Sequence, residues 1–217
     1  MDNIALIART TDFVKEKLTG AEAGHDWWHV LRVWNNAKLI AQSEDVDQTV
    51  VELAALLHDI ADAKFHDGDE EIGPKTAVAY LKGQKADDEL IEKVAQIIRH
   101  ISFKSNIDGQ KYFSDELAVV QDADRLDAIG AMGIARAFTY GGYKGRELYN
   151  PDIQPNLNMT KEEYKNSNGP TINHFYEKLL QLKDKMNTAT GKQLAGQRHE
   201  FMQQYLDQFY AEWEGRR

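Results

Sequence analysis

Residues 50–57 read VVELAALL, apolar at every position except Glu52, and the run ends on His58-Asp59. So apolar a stretch predicts a helix that is central and buried on most sides, and the remaining chain must supply the elements that cover it. Helical spacing recurs throughout. Ile4, Ile7, Val14 and Leu18 give an apolar stripe near the start, and Trp28, Leu31, Val33 and Leu39 open a second long segment. Pro74 and Gly83 bracket a short helix through Val78 and Leu81, in keeping with proline at helix starts and glycine at helix ends. Residues 87–101 carry Leu90, Ile91, Val94, Ile97 and Ile98 on one side, and 117–138 predict two helices or one helix bent near Gly130 and Gly133.

The least regular stretch is 141–170, where GGYKG, NPDIQPNLN and NSNGP supply turn signals. Thr160 followed by Glu163 fits a capping box inside it. Two late helices follow, near 173–186 and 190–213, the second introduced by a Thr190 to Gln193 capping pattern, with Phe175, Tyr176, Phe209 and Trp213 read as core. No strand-like alternation, repeat or low-complexity tract stands out. The expected fold class is all-α in a single domain.

Composition narrows the chemistry. With 217 residues, 42% hydrophobic and 28% charged, the chain can bury a sizeable core. It has no cysteine, which excludes disulfides, thiolate metal sites and a cysteine nucleophile, so any metal must use histidine and carboxylate. The first residues read as an amphipathic helix and not as a signal peptide, and no run reaches the roughly 18 to 20 apolar residues of a membrane span. A cytoplasmic location without membrane association is expected. The net charge of -9 works against binding nucleic acid, while a small anionic substrate stays compatible if basic residues converge locally.

His-Asp dipeptides occur three times, at 25–26, 58–59 and 66–67, so context must separate them. His66-Asp67 lies in the acidic turn HDGDEE, which a solvated loop explains. Asp26 can cap the helix that follows it. His58-Asp59 ends the most apolar run, where an ionised carboxylate needs a cation or a full set of donors, so a hydrogen-bonded pair and a metal site both satisfy it. In HDWWHVLR, His25, His29 and Arg32 share a helix face, suited to an ion and a phosphate oxygen or simply to a polar surface. QDADRLDA crowds Asp122, Asp124 and Asp127 beside Arg125; a nearby cation or a solvated acidic face accounts for it.

HDWWHVLRV, LLHDIADAKF and QDADRLDAIGAMGIAR, in that order and on helices, resemble the HD-domain superfamily of metal-dependent phosphohydrolases. The resemblance implies one HD-type helical domain over 1–217, with a metal-binding core at about 20–140 and a loop with C-terminal helices at about 141–217. It assigns the family's ligands to His29, His58, Asp59 and Asp124. NHFYEKLLQLKDKMNT and RHEFMQQYL further resemble the smaller bacterial YpgQ-type group, whose members are similar to nucleoside-triphosphate pyrophosphohydrolases.

The implied cofactor is a divalent ion, manganese first, with magnesium, iron, cobalt or nickel also compatible with mixed imidazole and carboxylate ligands. Asp62 matches the acidic position that orients or deprotonates water in related hydrolases. Lys64, Arg32 and Arg125 are candidates to neutralise phosphate charge. His100 is a candidate donor, substrate contact or ligand of a second ion, and His66 shares that ambiguity. His174, Lys178, Tyr143 and Lys144 are candidate substrate contacts, each of which ordinary packing or surface exposure also explains.

The expected activity is hydrolysis of nucleoside triphosphates to monophosphate and diphosphate, the partner being a small phosphorylated substrate, a nucleotide. A nucleotidase or phosphodiesterase of the same fold, a non-catalytic nucleotide-binding module and di-iron oxygenase chemistry are the alternatives.

Overall fold

In a computed structural model that describes residues 2–20, 25–61, 69, 71–101, 112–160, 163 and 167–216, the VVELAALL run forms α3 (Gln48–Leu57). Every residue of α3 from Val50 onward is buried except Glu52. Glu52 is satisfied where it stands, accepting a hydrogen bond of 2.8 Å from Trp34 Nε1. Each buried valine or leucine contributes about 1.5–3 kcal/mol, which makes α3 the hub of its surroundings.

The helices before it are α1 (Asn3–Lys17) and α2 (Trp27–Ala41), and after it come α4 (Ile72–Gly83), α5 (Asp88–His100) and α6 (Asp115–Asp127). Then follow α7 (Gly130–Tyr143), α8 (Thr171–Glu177), a 3-10 helix (Leu179–Lys185) and α9 (Ala189–Trp213). No strand occurs among the described residues, so the all-α class holds. No helix there is long and apolar enough to cross a membrane. The chain packs as two compact units, 1–124 and 125–217, with the boundary inside α6.

In the first unit α3 packs against α1, α2 and α5, and α4 pairs with α5. Aspartates begin four of these helices: Asp2, Asp26, Asp47 and Asp87 each accept backbone N–H hydrogen bonds in the following first turn. Such a cap stabilises a helix by about 1 kcal/mol and suits the positive end of its dipole. Part of the chain's acidic excess is therefore structural. The bracket of Pro74 and Gly83 falls inside α4, and the apolar side foreseen for 87–101 is the buried side of α5.

Two apolar stripes run differently from the expectation. Ile4 is exposed, and α1 buries Leu6, Thr10 and Val14 instead; the Thr10 hydroxyl returns its hydrogen bond to Leu6 O at 2.9 Å. On α2, Trp28 and Leu39 are exposed, and the buried stripe runs through His29, Val30, Val33, Ala37 and Ile40. A periodicity built from apolar residues alone passes over a threonine that bonds its own helix and a histidine whose partners lie elsewhere.

In the second unit Gly130, with a φ of +73°, lets the chain pass from the end of α6 into α7 without the strain a side chain would bring. There α7 packs on α8 and α9, and the 3-10 helix on both α8 and α9. Phe175 is fully buried, with its ring centroid 6.0 Å from those of Phe138 and Tyr205. Trp213, expected in the core, is 51% exposed at the end of α9, where its ring meets those of Tyr149 and Phe209. The helix expected over 173–186 divides because Lys178 leaves helical geometry at φ −144° and ψ −57°. Thr188, not Thr190, caps α9, accepting from Gly191 N at 2.9 Å. Asp127 is buried and pairs with Arg136 of α7.

The Thr160 to Glu163 capping box is present in both directions, with Glu163 N donating to Thr160 Oγ1 and Thr160 N donating to Glu163 Oε2.

Candidate metal centre

Two helix ends build the centre. His29 stands in the first turn of α2, where Asp26 Oδ1 accepts a 2.9 Å hydrogen bond from its backbone N–H, so the cap that starts the helix also fixes the residue. His58 follows α3 directly and Asp59 comes next, so the most deeply buried helix of the unit sets both. His29 and His58 side chains are each 3% exposed and Asp59 is 25% exposed.

His58 Nδ1 lies 2.8 Å from the carbonyl oxygen of Ala55. A carbonyl only accepts, so Nδ1 carries the proton and the lone pair of neutral His58 sits on Nε2, the tautomer a metal ligand needs. That Nε2 is 3.3 Å from His29 Nε2 and 3.6 Å from Asp59 Oδ2, and His29 Nε2 is 3.5 Å from the same oxygen. The two imidazoles meet edge to face, 5.3 Å between centroids.

These atoms answer whether a metal fits. A triangle with edges of 3.3, 3.5 and 3.6 Å has a centre about 2 Å from each corner, close to the 2.0–2.2 Å bonds of a first-row divalent ion to imidazole and carboxylate. His29, His58 and Asp59 can hold such an ion. Asp124 Oδ1 lies 3.5 Å from His29 Nε2 and so adjoins the trio through that histidine. Its backbone neighbourhood is tied to α2, since Asn36 Nδ2 donates to Ala123 O at 3.2 Å.

Charge reinforces the arrangement. Burial pushes the Asp59 carboxyl up, but the positive charge of His58 when protonated, the hydrogen bond from His25, and the charges of protonated His25 and His29 outweigh it and hold the group well below the usual carboxylate range. Asp59 is thus the anionic corner of the site. His25 supplies a contact that spacing alone did not reveal, its Nδ1 standing 2.7 Å from Asp59 Oδ2. The available signal was the four-residue step to His29, although α2 begins only at Trp27, so His25 stands ahead of the cap Asp26 and not on the helix face foreseen for it, with its ring centroid 6.0 Å from that of His29.

Other candidates fall as follows. Arg32 is half-buried on α2, one turn beyond His29. His100 ends α5, its Nδ1 donating to Gln96 O at 2.9 Å and its ring 5.5 Å from that of Tyr112. Asp122 is fully buried. Asp62, Lys64 and His66 lie outside the described residues. In the second unit, Arg125 Nη1 donates to Lys185 O at 2.7 Å. Tyr143 is exposed, with Lys144 Nζ 5.2 Å from its ring, and Lys178 is exposed after α8. Burial and the charges of Lys178 and Arg146 push His174 down to about 4.

An HD domain family model matches residues 27–129, which contain all four proposed ligands. The chain is 39% identical to YpgQ of Bacillus subtilis over 200 residues, 90% of this chain and 88% of that protein. Among solved structures it is similar to an HD-superfamily hydrolase of Bacillus thuringiensis, 41% identical with 98% of each chain covered and a TM-score of 0.79. It is also similar to B. subtilis YpgQ in complex with ADP, 37% identical, covering 98% of this chain and 97% of that one, with a TM-score of 0.76. The chain belongs to the HD domain family. By that membership it is a metal-dependent hydrolase.

Proposed function

We propose that the chain hydrolyses nucleoside triphosphates to nucleoside monophosphate and diphosphate, with manganese held by His29, His58, Asp59 and Asp124. The observation that carries this reading is the triangle of His29 Nε2, His58 Nε2 and Asp59 Oδ2, sized for a divalent ion. The nucleotide comes from the relative: YpgQ is similar over nearly its whole length and has a structure with ADP. The net charge of -9 favours a small nucleotide over a polymer, whose binding needs a broad basic footprint. A cytoplasmic location agrees with such a substrate.

When bound, the ion supplies Lewis acidity, lowering the pKa of water and neutralising phosphate charge. Asp62 then orients the attacking water and takes its proton. Arg32 and Lys64 stabilise the negative charge that shifts onto phosphate oxygens as the anhydride breaks. Arg125, His100, His174, Lys178, Tyr143 and Lys144 are the candidates for recognising the rest of the substrate. Within the second unit Lys144 lies over the Tyr140 and Tyr143 rings and Arg146 over the Tyr140 ring, a chemistry suited to phosphate and base.

A panel of ribo- and deoxyribonucleoside triphosphates, incubated with manganese and assayed separately for diphosphate and orthophosphate, tests the reading. Diphosphate and monophosphate should appear in equal amounts, with little orthophosphate. Orthophosphate released from monophosphates would replace this activity with a nucleotidase, and tight nucleotide binding without turnover of any substrate would replace it with a binding module.

A further inference from the structure

Asp59 Oδ2 faces three histidines at once. It faces the Nε2 atoms of His29 and His58 at 3.5 and 3.6 Å, and it accepts a hydrogen bond from His25 Nδ1 at 2.7 Å. A carboxylate only accepts, so His25 is the donor. The distance separates this contact from the others. Two ligands bound to one ion with bonds of about 2.1 Å stand roughly 3.0–3.4 Å apart, whereas 2.7 Å is a charge-assisted hydrogen bond.

The surroundings of the ring agree. His25 is 45% exposed against 3% for His29 and His58, so core packing does not dictate its position. It immediately precedes Asp26, the residue that caps α2 and fixes His29, so one short segment sets both imidazoles. A carboxylate at a partly exposed helix end has two equivalent oxygens and a soft terminal torsion, and something must choose which oxygen faces the imidazoles.

We infer that His25 is a positioning residue, whose Nδ1–H holds Asp59 with Oδ2 toward His29 and His58 and so pre-assembles the metal-binding triangle. The inference rests on the reading of that trio as a metal site. Partners that orient a ligand in this way change metal affinity by roughly 10–100-fold when removed.

The test is manganese binding by the full chain, followed by calorimetric titration of Mn2+ alone, for the parent, His25→Ala, His25→Asn and His58→Ala. Asparagine places its amide N–H near the place of Nδ1 and keeps the donor. His25→Ala should weaken binding roughly tenfold at unchanged stoichiometry, and His25→Asn should stay within about threefold of the parent. His58→Ala should lose tight binding. The inference is overturned if His25→Ala binds like the parent, if His25→Asn is as weak as His25→Ala, or if His25→Ala loses one ion per chain, which would make His25 a ligand. Parent-like binding by His58→Ala overturns the metal reading itself, whatever the His25 variants do. Circular dichroism checks folding. Should His25→Ala not fold, His25→Gln takes its place, since its longer arm moves the donor away from Oδ2; it should bind weakly while His25→Asn does not.

Discussion

Asp59→Asn is expected to abolish tight binding of divalent metal and to lower turnover at least about a thousandfold. Asparagine has nearly the same shape, so the side chain can occupy its place beside the end of α3, but it removes the one full negative charge that the two Nε2 atoms and His25 surround. An amide oxygen is a weaker ligand than a carboxylate, and the amide nitrogen cannot accept from His25 at all. A divalent ion contributes several kcal/mol to stabilising charge in phosphoryl transfer, and each 1.4 kcal/mol or so is tenfold in rate, so a loss of about three orders of magnitude follows. Steady-state kinetics and calorimetric titration with Mn2+ check both parts. A variant that keeps parent-like turnover and metal affinity would remove Asp59 from the site.

Asp62→Asn should separate the two effects. If Asp62 orients and deprotonates the attacking water, its loss lowers kcat by about 10²–10⁴-fold, the range general bases contribute, while manganese affinity stays within a few-fold of the parent. Asp59→Asn loses both. A parallel loss of metal affinity in Asp62→Asn would make Asp62 a ligand instead of a base, and an unchanged kcat would dismiss it from the chemistry.

Much of the fold was legible because local physics decides it. VVELAALL has no way to be half-exposed, and it became the hub of the first unit. Asp26 ahead of α2 and the Thr160 to Glu163 pair carry their own hydrogen-bonding partners a few residues away, so their roles were readable without tertiary information. What failed depended on distant neighbours. The exposure of Trp28 and the burial of His29 on adjacent positions of α2 are set by α3 and by Asp59, 30 residues further along. Trp213 looked like core by its chemistry, yet the end of α9 leaves half of it in solvent. Thr188 and Thr190 are both capping residues by type, and only the path of the chain chooses the first.

The same division runs through the site. The order of the motifs pointed to His29, His58, Asp59 and Asp124; among the described residues the first three bring ligand atoms within 4.8 Å of one another, and Asp124 Oδ1 lies 3.5 Å from His29 Nε2. Spacing put His25 on the same side as His29, but spacing describes one helix and cannot name the residue that faces it. The contact with Asp59 spans 34 positions and became visible only when α2 and the end of α3 were brought together.

The most direct measurement is a crystal structure of the chain grown with manganese, recorded at the manganese absorption edge. The account predicts one anomalous peak roughly 2.0–2.3 Å from His29 Nε2, His58 Nε2, Asp59 Oδ2 and an Asp124 oxygen, with His25 bonded to Asp59 and not to the ion. A peak bound by His25, or one away from the His29, His58 and Asp59 triangle, would contradict it.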